Sequence, residues 1–352
     1  MRAFEPRLVL RRTAPPFFGK TDKLDATVKT RPAGRLPRLP RLLVASLSAA
    51  AAAWAVAAPP RAGSVYNRRA AAAAAAEQAS DRNVPEAEAR AERIVASSLA
   101  MLADAETFSA RLRQKARVGD RVLVGTGRYA QSGRGEEQRY RLESTLTCDT
   151  ETFALVEVCD GIFAWAYRHY GTDAPRLERL DVRRVREKLG QLGAADPAAA
   201  AAYLGGLQRS FGSLRQWFRF VSAAPAELEG RPVWLVEGRW NPDWLHVILP
   251  ELSAAARRPE GIAPEELPDG VPWSVRFAIG RTDLVPYRIE WLAVPGPRPV
   301  AAAEPVPIAV LDLQDVQLGG PVDAGGFVYK PAAEGLVDMT DAHVAGLSLL
   351  RP

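Results

Sequence analysis

The 352-residue sequence predicts an α+β fold: one long, curved antiparallel sheet whose apolar face is covered by a few helices. Three observations predict it. Hydrophobicity alternates with a period of two along most of the chain after residue 139. Short turn sequences such as Asp160-Gly161 separate the alternating segments. Helical periodicity is confined to a few blocks, without the strand–helix–strand alternation of a doubly wound fold. The segments add up to roughly nine to eleven strands and three or four helices.

Residues 1–58 read as a basic leader followed by a signal peptide or an uncleaved N-terminal anchor. A basic stretch from Arg31 to Arg41 precedes an uncharged run from Leu42 to Ala58, which closes on Ala55, Ala57 and Ala58 before Pro59-Pro60. Basic flank, apolar centre and small-residue end are the three parts of an export signal. Both readings place the rest of the chain in the periplasm or outside the cell. Residues 59–84 form an Ala-rich linker, and residues 85–345 the folded domain, with a helical insertion at 182–218.

Charge follows the same division. Residues 1–69 hold 14 Lys/Arg and 3 Asp/Glu, a net of +11 against +5 for the whole chain, which leaves residues 70–352 at −6. An acidic folded part does not neutralise phosphates, so nucleic-acid binding is excluded.

Within the domain, Ile94, Val95, Leu99, Leu102 and Ala103 recur at helical spacing over residues 86–108. In Arg139–Cys148, Tyr140, Leu142, Ser144, Leu146 and Cys148 share one face of a half-buried strand. Strands at Phe153–Cys159 and Ile162–His169 follow, the second with Phe163, Trp165 and Tyr167 on one face. The insertion carries a helix at Val182–Leu192 and another opened by Asp196-Pro197, in which Tyr203, Leu204, Leu207, Phe211 and Leu214 form a stripe. Strands resume at Trp217–Ser222 and Pro232–Trp240, and Asn241-Pro242 caps a helix. Three last strands lie at Trp273–Gly280, Tyr287–Val294 and Ile308–Leu318. In the last of these the alternation slips between Leu313 and Val316, the mark of a β-bulge.

Catalytic chemistry is sparse. Gly125-Thr-Gly127-Arg-Tyr-Ala130 matches a dinucleotide fingerprint, but a turn and another strand follow it where a helix is required. The three histidines, His169, His246 and His343, have no metal-ligand spacing. No catalytic residue, metal or cofactor is expected. Cys148 and Cys159 are an even pair in an exported chain, which favours a disulfide. If Thr150-Glu151 is the turn, Cys148 opposes Phe153 and the sulfurs lie about 20 Å apart, too far to bridge. Both states stay open.

Several strings resemble the outer-membrane lipoprotein carrier superfamily, the LolA/LolB-like proteins. They are Leu155–Cys159, the Asp160-Gly161 turn with Phe163-Ala-Trp165-Ala-Tyr167, Phe277-Ala-Ile-Gly280, Asp315-Val-Gln-Leu318, Phe327-Val-Tyr-Lys-Pro331 and Gly335-Leu-Val-Asp338. The resemblance covers roughly residues 90–340. It implies an incomplete β-barrel closed by helices, and a non-catalytic monomer that binds or carries lipid, acyl chains or a lipidated protein. The ligand would be lined by Leu142, Leu146, Phe163, Trp165, Tyr167, Phe211, Trp234, Phe277 and Trp291, with Asp160 and Gly161 as the family-motif turn. Two departures stand out. No cysteine precedes Cys148, so the chain is not a lipid-anchored acceptor of that family. Neither Arg139 nor Arg141 is assigned the family's lid-holding arginine. A packed interior remains the alternative. The same scaffold would then be an envelope protein-interaction or sensing module, with Val182–Phe218 as the surface for a protein partner.

Overall fold

The computed structural model describes residues 84–118, 121–171, 173–193, 204–256, 258, 261–268, 270–294, 304–331 and 335–347. The leader, the linker up to residue 83 and the proposed helix start at Asp196-Pro197 lie outside them.

The described residues form five helices longer than a single turn: α1 (Val84–Asp104), α2 (Val182–Gln191), α3 (Gly206–Trp217), α4 (Pro242–Ile248) and α5 (Thr340–Leu347), with one further helical turn at Ser253–Ala256. They also form twelve strands. The first six are β1 (Thr107–Val118), β2 (Arg121–Ser132), β3 (Arg139–Cys148), β4 (Glu151–Cys159), β5 (Phe163–Tyr170) and β6 (Arg176–Asp181). The rest are β7 (Phe218–Leu228), β8 (Arg231–Trp240), β9 (Ser274–Gly280), β10 (Pro286–Ala293), β11 (Val306–Leu318) and β12 (Leu336–Asp338). All twelve belong to one unclosed sheet in the order β12-β6-β5-β4-β3-β2-β1-β11-β10-β9-β8-β7. Every described pairing is antiparallel except β12 on β6. The protein is therefore α+β, with the helix-covered antiparallel sheet that the periodicity predicts. β1, β6 and β12 lie outside the strand segments read from the sequence.

One face of the sheet is covered by helices. On β3 it presents Tyr140, Leu142, Ser144, Leu146 and Cys148, all buried. α1 packs on β7–β9 along a stripe of Ala91, Val95, Ser98 and Leu102, spaced so that they share one side of a helix. α3 buries Leu207, Phe211 and Leu214, three residues of the stripe predicted for the insertion. Phe211 and Phe220 both meet the Phe277 ring edge-on, at 6.3 and 5.4 Å between centroids.

A polar seam fastens these helices to the sheet. The last carbonyls of a helix have no partner within it. Here the Leu102 carbonyl accepts from Gln131 Nε2 at 2.6 Å and from Gln208 Nε2 at 3.1 Å. Tyr140 donates its hydroxyl to the Leu204 carbonyl at 3.1 Å. Glu157, 2% exposed, accepts the Gly206 amide at 3.0 Å and pairs with Arg209 at 3.2 Å. The start of α3 lies so close to the sheet that a Cβ on Gly205 (φ 150°) would come within 1.8 Å of the Tyr140 hydroxyl. Only glycine fits there.

The two cysteines are free thiols. The β3–β4 turn is Asp149-Thr150, so Cys148 opposes Glu151 and Cys159 opposes Tyr140. The predicted register is off by two residues. Eight residues of strand separate the two sulfurs, roughly 27 Å. The disulfide is ruled out by geometry.

Candidate functional site

The other face of the sheet is crossed by a strap, described over residues 319–331 and 335–347. It leaves the end of β11, where the Gly320 carbonyl accepts from Thr107 Oγ1 at 2.8 Å. It then passes over β3, where Arg141 donates to the Gly326 carbonyl at 3.0 Å and Phe327 is buried. Tyr329 reaches the Trp165 ring of β5, 6.1 Å between centroids. The chain finally adds β12 to the edge of β6 and packs α5 against α2.

The strap is bound at its far end by Asp338. This carboxylate pairs with Arg179 at 2.6 Å and accepts the Thr340 amide at 2.9 Å. Hydrogen bonds from Thr340 and Arg179 pull its pKa down from 3.8 to about 2. A depressed carboxylate stabilises the fold above its unfolded pKa and loses that contribution as pH falls through the folded one. The thermal stability of the protein over its Asp338→Asn variant is therefore present at pH 6 and closes between pH 3.8 and about 2. The effect is about 1 kcal/mol or less, because the pair is half exposed. Parallel melting curves from pH 6 to pH 2 check this, and a gap that persists at pH 2 would refute it.

Between strap and sheet lies a cleft of about 720 Å³. Its floor is Ser109 and Ala130, and the strap residues Gly326 and Phe327 form its roof. Arg111, Arg128 and Arg141 line it from three adjacent strands. Arg111 and Arg128 stand directly opposite one another, a like-charge pairing that costs stability in a sheet. Three carboxylates line the cleft beside the three cations: Asp315, Glu143 and Asp323, the last accepting the Gly325 amide. Asp315 pairs with Arg111, and Glu143 pairs with Arg128 at 2.9 Å and Arg141 at 2.6 Å. Partial burial works to raise the Glu143 pKa, but the hydrogen bonds from Arg141 and Arg128 outweigh it and hold the carboxyl below its ordinary value. Asp315 sits in the bulge predicted between Leu313 and Val316. The β1–β11 register shifts between Ser109 and Arg111, and Asp315 adopts φ 47°. The bulge turns its carboxylate toward Arg111, and bulges and left-handed non-glycine residues concentrate at binding sites.

The predicted ligand-lining residues do not form one surface. Leu142, Phe211, Phe277 and Trp291 are buried in the main core and Leu146 in a small separate cluster with Leu123 and Cys148, none more than 3% exposed. Trp234 is half-buried, with Arg90 and Arg281 over its ring at 4.6 and 4.8 Å. Phe163, Trp165 and Tyr167 lie on the strapped face, opposite to Leu142. The cause is register: Cys159 opposes Ala164, so Ala164, Ala166 and Arg168 take the helix-covered side. The aromatic row instead packs with Tyr329 and Arg179, whose guanidinium lies 4.7 Å from the Phe163 ring. Asp160 and Gly161 form the expected turn. Asp160 Oδ1 accepts the amides of Ile162 and Phe163, and Gly161 has φ 94°. Arg141 faces the strap rather than the helices. The fingerprint glycines Gly125 and Gly127 lie inside β2, which runs on to Ser132. Among the described residues no group of three metal-ligating side chains gathers, and no helix is long and apolar enough to cross a membrane. The cleft escaped sequence reading because its arginines occur singly on three strands and meet only through register. Its one sequence signal was the slipped alternation at Asp315.

No protein-family model matches the chain, and no curated protein matches it in sequence. Solved structures align over about two thirds of it. A domain assigned to outer membrane lipoprotein sorting from Vibrio parahaemolyticus aligns at TM-score 0.27 and 9% identity, over 68% of this chain and 97% of that one. A DUF1329 family protein from Desulfovibrio piger aligns at TM-score 0.28 and 7% identity, over 69% and 98%. MucB aligns at TM-score 0.31 and 12% identity, over 68% and 63%. Alignments of this quality carry no argument about activity.

Proposed function

We propose that this chain is a non-catalytic binding protein of the cell envelope that takes its ligand at the strapped cleft and uses its apolar interior as structural core. One contrast carries the reading. Among the described residues, five of the side chains expected to line an acyl cavity (Leu142, Leu146, Phe211, Phe277 and Trp291) are at most 3% exposed, whereas the opposite face holds an open cleft lined by charged side chains, of a size that suits a small ligand or the end of a larger one. The basic and apolar leader supports an envelope location. The three arginines of the cleft are ion-paired with Asp315 and Glu143, an arrangement that suits recognition better than proton transfer.

A carrier of lipid or lipidated protein is the second reading, favoured by the continuous apolar face under the helices. Native mass spectrometry of the full chain, purified from a bacterial periplasm and exposed to phosphatidylglycerol, separates the two. The expected result is an apo mass, or an adduct that a filled cleft abolishes. An adduct that survives Ala130→Trp, which fills the cleft floor, and is lost in Phe277→Trp would overturn the cleft reading in favour of the carrier.

A further inference from the structure

We infer that the cleft is an anion site, with Arg111 and Arg128 as a two-guanidinium clamp for a phosphate or carboxylate group; the inference rests on the cleft being the binding site. Each guanidinium has five N–H donors in a planar fork that matches two-oxygen anions. Among the described residues Arg111 spends this capacity on Asp315 alone, and Arg128 on Glu143 alone. Both side chains are largely exposed, at 67% and 78%, so their remaining donors face the cleft or solvent. Their direct opposition across β1 and β2 roots both side chains beside a floor of small residues, Ser109 and Ala130, with Arg111 leaning to Asp315 on β11 and Arg128 to Glu143 on β3. A bridging anion removes the like-charge cost that this pairing otherwise carries.

Asp315 acts as the internal competitor. Its carboxylate occupies Arg111 from a strained backbone position, so an incoming anion displaces one weak ion pair rather than opening a buried network. Arg141 is the third wall. It is held by Glu143 and the Gly326 carbonyl, and it fixes the strap above the clamp.

The test is calorimetric titration of the full-length protein with inorganic phosphate at low salt, beside vesicles of phosphatidylglycerol or phosphatidylcholine. Saturable phosphate binding is expected. It weakens about tenfold in Arg111→Gln and in Arg128→Gln, as loss of a charged hydrogen bond implies. It is unchanged in Arg113→Gln, an exposed arginine on the same strand outside the cleft. It strengthens severalfold in Asp315→Asn, which frees Arg111 and tolerates the left-handed backbone. An Arg111–Asp315 pair with a purely structural role would not give that gain. Binding of phosphatidylglycerol vesicles alone among the two lipids, lost in Arg111→Gln, assigns the anion to a lipid headgroup. Phosphate binding without vesicle binding assigns it to a soluble ligand. No saturable binding of any probe, an equal loss in Arg113→Gln, or weaker binding in Asp315→Asn overturns the inference. If phosphate binds but Ala130→Trp leaves it intact, the anion site is elsewhere and the cleft reading fails with it. If nothing binds while the protein keeps its lipid-free mass, only the clamp fails.

Discussion

Phe277→Ala is expected to lower the free energy of unfolding by about 3–5 kcal/mol, the range for truncating a buried phenylalanine. For a domain of this size that is a fall in Tm on the order of 10 °C. The ring is 2% exposed and joins three parts of the fold: its own strand β9, the edge strand β7 through Phe220, and the covering helix α3 through Phe211. Urea denaturation with an unchanged m value measures the effect. The size of the loss also bears on function. A side chain facing an acyl cavity has few neighbours to lose, so a cost below about 1 kcal/mol would point to an unfilled interior and restore the carrier reading.

Glu157→Ala is expected to cost a similar amount, about 3–5 kcal/mol, for a different reason. Removing one partner of a buried ion pair leaves the other charge without compensation. Glu157 on β4 is 2% exposed and meets Arg209 and Arg168, themselves 16% and 10% exposed. Arg168 keeps Glu178 when Glu157 is lost, while Arg209 loses this ion pair and the Gly206 amide its acceptor. Glu157→Gln keeps an acceptor for that amide and should lose less. The double variant Glu157→Gln/Arg209→Gln should recover part of the loss, and a double-mutant cycle gives the coupling. Strictly additive losses would show that the pair does not hold α3 to the sheet.

Much of the scaffold is written in local pattern. Arg139–Cys148 is a strand with the expected alternation because one face meets helices and the other water. Asn241-Pro242 opens α4 as its capping chemistry requires, with Asn241 Oδ1 accepting the Asp243 amide. What escaped is what register decides. Phe163, Trp165 and Tyr167 alternate as clearly as any core strand, yet alternation cannot say which side is the core. One residue in the β4–β5 turn exchanges the two faces. β12 is three residues long and parallel, too short for any period to register. The arginine clamp is invisible for a related reason: Arg111 and Arg128 are 17 positions apart in sequence and opposite only once β1 and β2 pair.

The order in which the chain is made gives the strap a consequence in time. Residues of α1 and of β1 to β11 are all made before the strap, and of its described residues only Val344 and Leu347 join the core they build. The bonds that close the cleft reach far back along the chain, from Gly326 to Arg141 and from Thr340 to Asp181. Contacts of such separation form late. A chain crossing a membrane from its N-terminal end would thus hold a folded core before it held a binding site. The proposed ligand site would be complete only when the last segment arrived, and a product clipped after β11 would keep most of its core and lack the roof of the cleft.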